Sequence, residues 1–128
     1  MQNKMLEYCI DYLKENTSFN KQVINADLDI ILQEEFSLRS PLGDGKIREI
    51  IHDIRIHYNI ENEVGESGWI CGTSDGYFIS YNPYHISKHL QSFEGKINKM
   101  KMVLSKGESV LKFKLYYKQS ELFNKDEN

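Results

Sequence analysis

Residues 69–80, WICGTSDGYFIS, set two short β-prone runs on either side of Asp75-Gly76, between stretches of helical periodicity. An Asp-Gly step between two such runs is among the strongest local hairpin signals, because glycine takes the positive φ that a tight turn demands. A single compact ribbon among helices makes the fold α+β and mainly helical.

The helices follow from apolar spacing. Leu6, Cys9, Ile10 and Leu13 fall at i, i+3, i+4, i+7 and predict a helix over residues 3–15. Val23 and Ile24 form a very short strand. Asn25 then stands as N-cap, with Asp27 in the first turn of a second helix that buries Leu28, Ile31, Leu32 and Phe36. After the break at SLRSPLGDG, Ile47, Ile50, Ile51 and Ile54 place a third helix over 46–57, and Tyr58 to Gly68 reads as a polar, acidic loop. Beyond the hairpin, Asn82 caps and Pro83 opens a fourth helix. There Ile86, Leu90, Phe93, Ile97, Met100 and Leu104 are spaced 4, 3, 4, 3, 4, a heptad seam carried to about residue 106. Such a seam packs along the first helix or pairs with a second copy, making the chain a homodimer. From Gly107 onward, Leu111, Phe113 and Leu115 alternate with lysines as a strand would, yet the segment can equally extend the helix. NKDEN at the end is expected to be disordered.

Length and composition bound the rest. A chain of 128 residues buries one modest core, so one domain is expected. The N-terminus lacks the apolar stretch and cleavage site of a signal peptide, and no apolar run is long enough for a membrane span, so cytoplasmic residence is expected. Cys9 and Cys71 lie on apolar periodicities at no metal-binding spacing and read as reduced core residues. Charge is uneven. Residues 1–81 hold 4 Lys and 3 Arg against 14 acids, a net of −7, while residues 82–128 hold 9 Lys against 5 acids, a net of +4. Nucleic-acid binders show a strong basic face, so the acidic first part weighs against that role unless the cations are gathered locally.

The order helix, short strand, helix, turn, helix, hairpin, with GDGKIREIIHDIRIHYNI leading into WICGTSDGYFIS and then NPYHISKHLQSFEGKINKM, resembles small winged helix-turn-helix proteins of bacteriophages and prophages. These carry a recognition helix of pattern vR..I..lR, a wing of pattern I.ssskGYyia and a long final helix. The likeness covers residues 20–104 and consists mostly of structural positions, so it bears on fold more than on function. It implies a winged-helix domain over 1–106, including the long C-terminal helix, with a tail over 107–128. It implies a small transcriptional regulator or a DNA-replication accessory that binds duplex DNA, the third helix entering a major groove and the wing reaching the backbone. Arg48, His52 and Arg55 fall at i, i+4, i+7 opposite the isoleucines, with Lys46 near the helix start; arginines there meet guanine edges or phosphates. Glu49 and Asp53 flank that stripe. The wing tip offers the hydroxyls of Thr73 and Ser74 but no Lys or Arg. Lys88, Lys96, Lys99, Lys101 and Lys106 lie off the seam and can supply weak, salt-dependent phosphate contacts.

Enzymatic chemistry is not indicated, because no phosphate loop, nucleophile elbow or paired-carboxylate motif is present, and no cofactor is implied. His85 and His89 are four apart but lack a third metal ligand, and they read as surface residues at a helix start. One further stretch, Gln119 to Phe123 (QSELF), resembles the short peptide by which many bacterial and phage proteins bind the replicative sliding clamp. That resemblance makes Gln119, Leu122 and Phe123 the anchors, in a flexible terminal setting. A second functional class follows: a protein-interaction module, adaptor or inhibitor, without DNA binding.

Overall fold

The computed structural model describes residues 2–126 and, within the last helix, side chains as far as Gln119. Its elements run α1 (Gln2–Asn16), α2 (Asn25–Phe36), α3 (Asp44–His57), β1 (Ile60–Glu61), β2 (Ser67–Thr73), β3 (Gly76–Ser80) and α4 (Pro83–Asp126). Contacts divide the chain into two units, Met1–His89 and Leu90–Asn128, the division falling within α4.

The first unit is α+β, with three helices against a three-stranded antiparallel sheet of order β1-β2-β3. Met5, Leu6, Cys9, Ile10 and Leu13 of α1, Leu28 and Leu32 of α2, and Ile47, Ile50, Ile51 and Ile54 of α3 share one buried core with Ile60, Ile70 and Ile79 of the sheet. Ile47, Ile50, Ile51 and Ile54 are each at most 1% exposed, whereas Ile56, off that stripe, is 59% exposed; burying such a side chain stabilises by about 1.5–3 kcal/mol, so α3 is anchored firmly along the stripe.

Both faces of the hairpin are covered, which is why its strands do not alternate simply between buried and exposed. Ile70 and Ile79 are paired across the ladder and face the helical core. The adjacent pair, Cys71 and Phe78, faces the first turns of α4: the Cys71 thiol lies 3.8 Å from the His85 carbonyl, and Phe78 meets the His85 ring edge-on. Phe19 stacks on that ring at 4.5 Å and meets Phe78 edge-on at 5.8 Å.

Several sequence expectations shift. The stretch 58–68 is not all loop, because Ile60 and Glu61 pair with Gly68 and Ser67. Val23 contributes one bridge to Tyr77, donating to its carbonyl at 3.0 Å and accepting from its amide at 2.8 Å. Ile24, not Asn25, occupies the N-cap of α2, and Asn25 is drawn toward Tyr77. At the hairpin tip the turn residues are Ser74 and Asp75. Gly76 follows them with φ +127°, and a Cβ there would lie 2.4 Å from the Val23 carbonyl oxygen, so close backbone approach requires glycine as much as the turn does.

Asn82 caps α4 as expected, its side chain accepting from the Tyr84 amide at 2.9 Å. The helix does not stop near residue 106, and Gly107 does not break it. The strand alternative for 107–118 is overturned, and helix also replaces disorder over Asn124–Asp126; Glu127 and Asn128 lie outside the described residues. Ile97, Met100 and Leu104 of the seam are 46%, 71% and 62% exposed. Among the described residues, no helix is long and apolar enough to cross a membrane.

Candidate nucleic-acid interface

α3 is fixed at its start by a buried carboxylate. Asp29 of α2 accepts from the amides of Leu42 and Gly43, both at 2.9 Å, and from the Gln33 amide group at 3.1 Å. These two backbone donors immediately precede α3, whose own N-cap, Gly43, makes no side-chain cap. The acid on α2 therefore stands in for a capping residue. Sequence reasoning passed over Asp29. Its signal was an acid beside Leu28 and Leu32 on the apolar side of α2, four residues before Gln33.

Of the stripe drawn from the sequence, Arg48 and His52 are exposed. Lys46 is partly exposed and sits 3.7 Å from Glu49 one turn on, an ion pair of small energetic weight.

Arg55 departs from the expectation. Its Nε and Nη2 donate to the Ile70 carbonyl at 3.0 and 2.7 Å, and its guanidinium lies 5.8 Å from the centre of the Trp69 ring. Nη2 also comes within 3.4 Å of His89 Nε2, while the Trp69 indole donates to His89 Nδ1 at 3.0 Å. Burial pulls the guanidinium below its ordinary value, a shift that Tyr77 and Cys71 partly oppose. It remains a cation, committed to joining α3, β2 and the first turns of α4. The i, i+7 spacing from Arg48 is real, but one more helical turn carries position 55 under the hairpin.

The two histidines are likewise not surface residues. His89 is buried, and His85 is half-buried with Nδ1 3.2 Å from the Ser80 hydroxyl. Among the described residues, no group of three His, Cys, Asp or Glu is placed to hold a metal.

Tyr77 of β3 stands near Arg55. Burial pushes its hydroxyl upward, Arg55 and Arg48 pull it down, Asp44 raises it, and a hydrogen bond with Asn25 lowers it, so the phenol stands amid the charges of α3. Gly72 adjoins it; a Cβ there would lie 3.6 Å from both Arg55 Nη2 and the Tyr77 ring. No family model, no curated protein and no solved structure matches this chain.

At the tip, Thr73 is exposed but its hydroxyl already donates to the Gln22 side chain at 2.5 Å and accepts from the Asp75 amide at 3.1 Å. Ser74 is exposed, and no Lys or Arg stands beside it in the turn. The structure therefore brings Lys46, Arg48 and His52 together on one helix and withdraws Arg55, while Thr73 spends its hydroxyl on the Gln22 loop. Gln119 is exposed and lies within α4, which continues helically through Phe123; the side chains of Leu122 and Phe123 lie outside the described residues.

Proposed function

We propose that this chain is a winged-helix DNA-binding protein of phage or prophage type, a small transcriptional regulator or DNA-replication accessory. In this reading α3 is the recognition helix and the β2–β3 hairpin its wing. The observation that carries it is how α3 is held: Asp29 fixes its start, four isoleucines bury one side, and Arg55 ties its last turn to the hairpin. Arg48 and His52 are left exposed on the remaining side. A rigidly mounted helix presenting an arginine suits base-edge and phosphate contact.

With Arg55 committed, Arg48 and Lys46 are the two cations α3 can offer. Neutralising about two phosphates gives a log–log salt slope of about −2 per chain. Fluorescence anisotropy with duplex DNA at low and moderate salt tests this. Binding should weaken with that slope and be lost in Arg48→Glu; no binding even at low salt refutes the reading, and a much steeper slope places the contacts on the α4 lysines instead.

A second reading is favoured by the net charge of −7 over residues 1–81 and by the exposed apolar side chains of α4. In it the domain is a protein-interaction module, an adaptor or inhibitor, which can engage a sliding clamp through QSELF. Gln119→Ala with Phe123→Ala would then lower clamp retention in a pull-down, and unchanged retention removes the clamp as partner.

A further inference from the structure

Ile97, Met100, Leu104, Leu111 and Leu115 are each exposed by between 46% and 71% along one stripe of α4. Continuation of the helix past Gly107 changes the period of that stripe. Up to Leu104 a heptad fits, but a heptad carried onward would place Gly107 and Lys114 in the seam. From Phe93 onward an 11-residue repeat keeps the stripe on one side: Phe93, Ile97, Met100; then Leu104, Glu108, Leu111; then Leu115, Gln119, Leu122, each triplet spaced 4 and 3, with polar Glu108 and Gln119 at the middle positions. Eleven residues over three turns is about 3.67 per turn, close to the 3.6 of an unstrained helix, so the stripe stays on one side without left-handed supercoiling.

We propose that a second copy of this chain covers the stripe, antiparallel and centred on Leu104. Apolar burial drives the pairing, and charge chooses the direction. At 100° per residue, Glu94, Lys101 and Lys112 fall on one flank of the stripe, with Glu108 at the stripe's edge on that same side, while Lys96, Lys114 and Lys118 fall on the other. Among the described residues, none of the first four makes an ion pair within the chain.

Antiparallel pairing sets like flank against like flank. Centred on Leu104, it brings Ile97 to Leu111 of the second copy, Glu94 within two residues of its Lys112, and Lys101 within one residue of its Glu108. The two-fold axis repeats both ion pairs, against one lysine approach, Lys96 to Lys114. Parallel pairing instead stacks Glu108 on Glu108 and sets Lys112 beside Lys114, with only Glu94 and Lys96 matched. Exposed ion pairs contribute little affinity, but the difference between the two arrangements fixes orientation. This pairing uses only the second unit and stands whether or not α3 reads DNA.

Light scattering on the full chain at tens of micromolar should give twice the monomer mass. Leu104→Asp should weaken the dimer by more than about tenfold. Glu94→Lys should weaken it too, and adding Lys112→Glu to that variant should restore it. For direction, Ile97→Cys and Leu111→Cys chains should form a disulfide when mixed and neither should cross-link alone; native Cys9 and Cys71 are buried and silent. Self-cross-linking of the Ile97→Cys chain shows parallel pairing and overturns the proposal. So does a monomeric mass for the unmodified chain, whether or not the monomer binds anionic vesicles or an acidic protein.

Discussion

Replacing Arg55 by alanine separates a structural arginine from a DNA-reading one. The side chain supplies two charge-assisted hydrogen bonds to one acceptor, the Ile70 carbonyl, at 3.0 and 2.7 Å. Leaving that acceptor without its charged donor costs about 1.5–3 kcal/mol, and loss of the cation over the Trp69 ring costs about 0.5–1 kcal/mol more. Against this, the substitution relieves the desolvation that pulls the guanidinium below its ordinary value, which holds the net to the lower half of that sum. The net expectation is a destabilisation of about 2–3 kcal/mol. With a urea dependence of about 2 kcal/mol per molar, the unfolding midpoint falls by about 1–1.5 M.

Trp69 is the only tryptophan in the chain and lies at the perturbed contact, so its fluorescence reports the transition directly. Arg55→Lys should recover part of the loss, since an ammonium reaches one acceptor but cannot reproduce the guanidinium's two-pronged geometry. An unchanged urea midpoint together with lost DNA binding would refute the assignment, because Arg55 would then be a contact residue and not a tie between α3 and the hairpin.

Other perturbations probe the same frame. Asp29→Ala removes the acceptor for the Leu42 and Gly43 amides and should cost about 2–4 kcal/mol, read by thermal or urea unfolding; a loss below half a unit would mean that these amides find other partners. Gly76→Ala forces a Cβ against the Val23 carbonyl at a backbone φ unfavourable to alanine, and should destabilise by more than about 2 kcal/mol, whereas Gly107→Ala in exposed helix should stabilise by up to about 1 kcal/mol. For pH, burial pushes the Cys9 thiol up to about 12 from an ordinary value of 9.0, so in the folded chain it stays neutral where the unfolded chain ionises. Stability is fully present below about pH 9 and is lost as pH rises toward 12, with the raised hydroxyls of Tyr8, Tyr77 and Tyr81 adding in the same direction. A melting temperature unchanged between pH 8 and pH 10.5 would contradict this.

What the sequence disclosed and what it hid divide along a physical line. Apolar periodicity located α1, α2, α3 and the hairpin to within a few residues, because burial of Leu13, Leu32, Ile50 and Ile70 is dictated by local spacing. Polar side chains were read as exposed by default, and there the reading failed. Asp29, Arg55, His85 and His89 bond to groups 5 to 34 residues away in sequence, and no periodicity encodes that. Arg48 and Arg55 are chemically identical and share a helix face, yet one meets solvent and the other a carbonyl, a difference set by where the hairpin crosses α3.

α4 shows the converse: a local pattern legible from the start whose period beyond Leu104 turns on how far the helix runs. Over 93–104 the spacings 4, 3, 4 serve a heptad and an 11-residue repeat equally well, Leu90 belongs to the heptad alone, and the turns past Leu104 distinguish the two. The alternation at Leu111, Phe113 and Leu115 suggested a strand because its polar partners are lysines. In the helix those residues fall on opposite sides, Leu111 and Leu115 continuing the stripe and Phe113 lying with Tyr117 at 5.7 Å between ring centres. Two apolar sides separated by lysines are more than one partner helix can cover. Pairing along the leucine stripe therefore leaves Phe113, Tyr116 and Tyr117 on the outside of the pair, where the paired helices can meet a third surface.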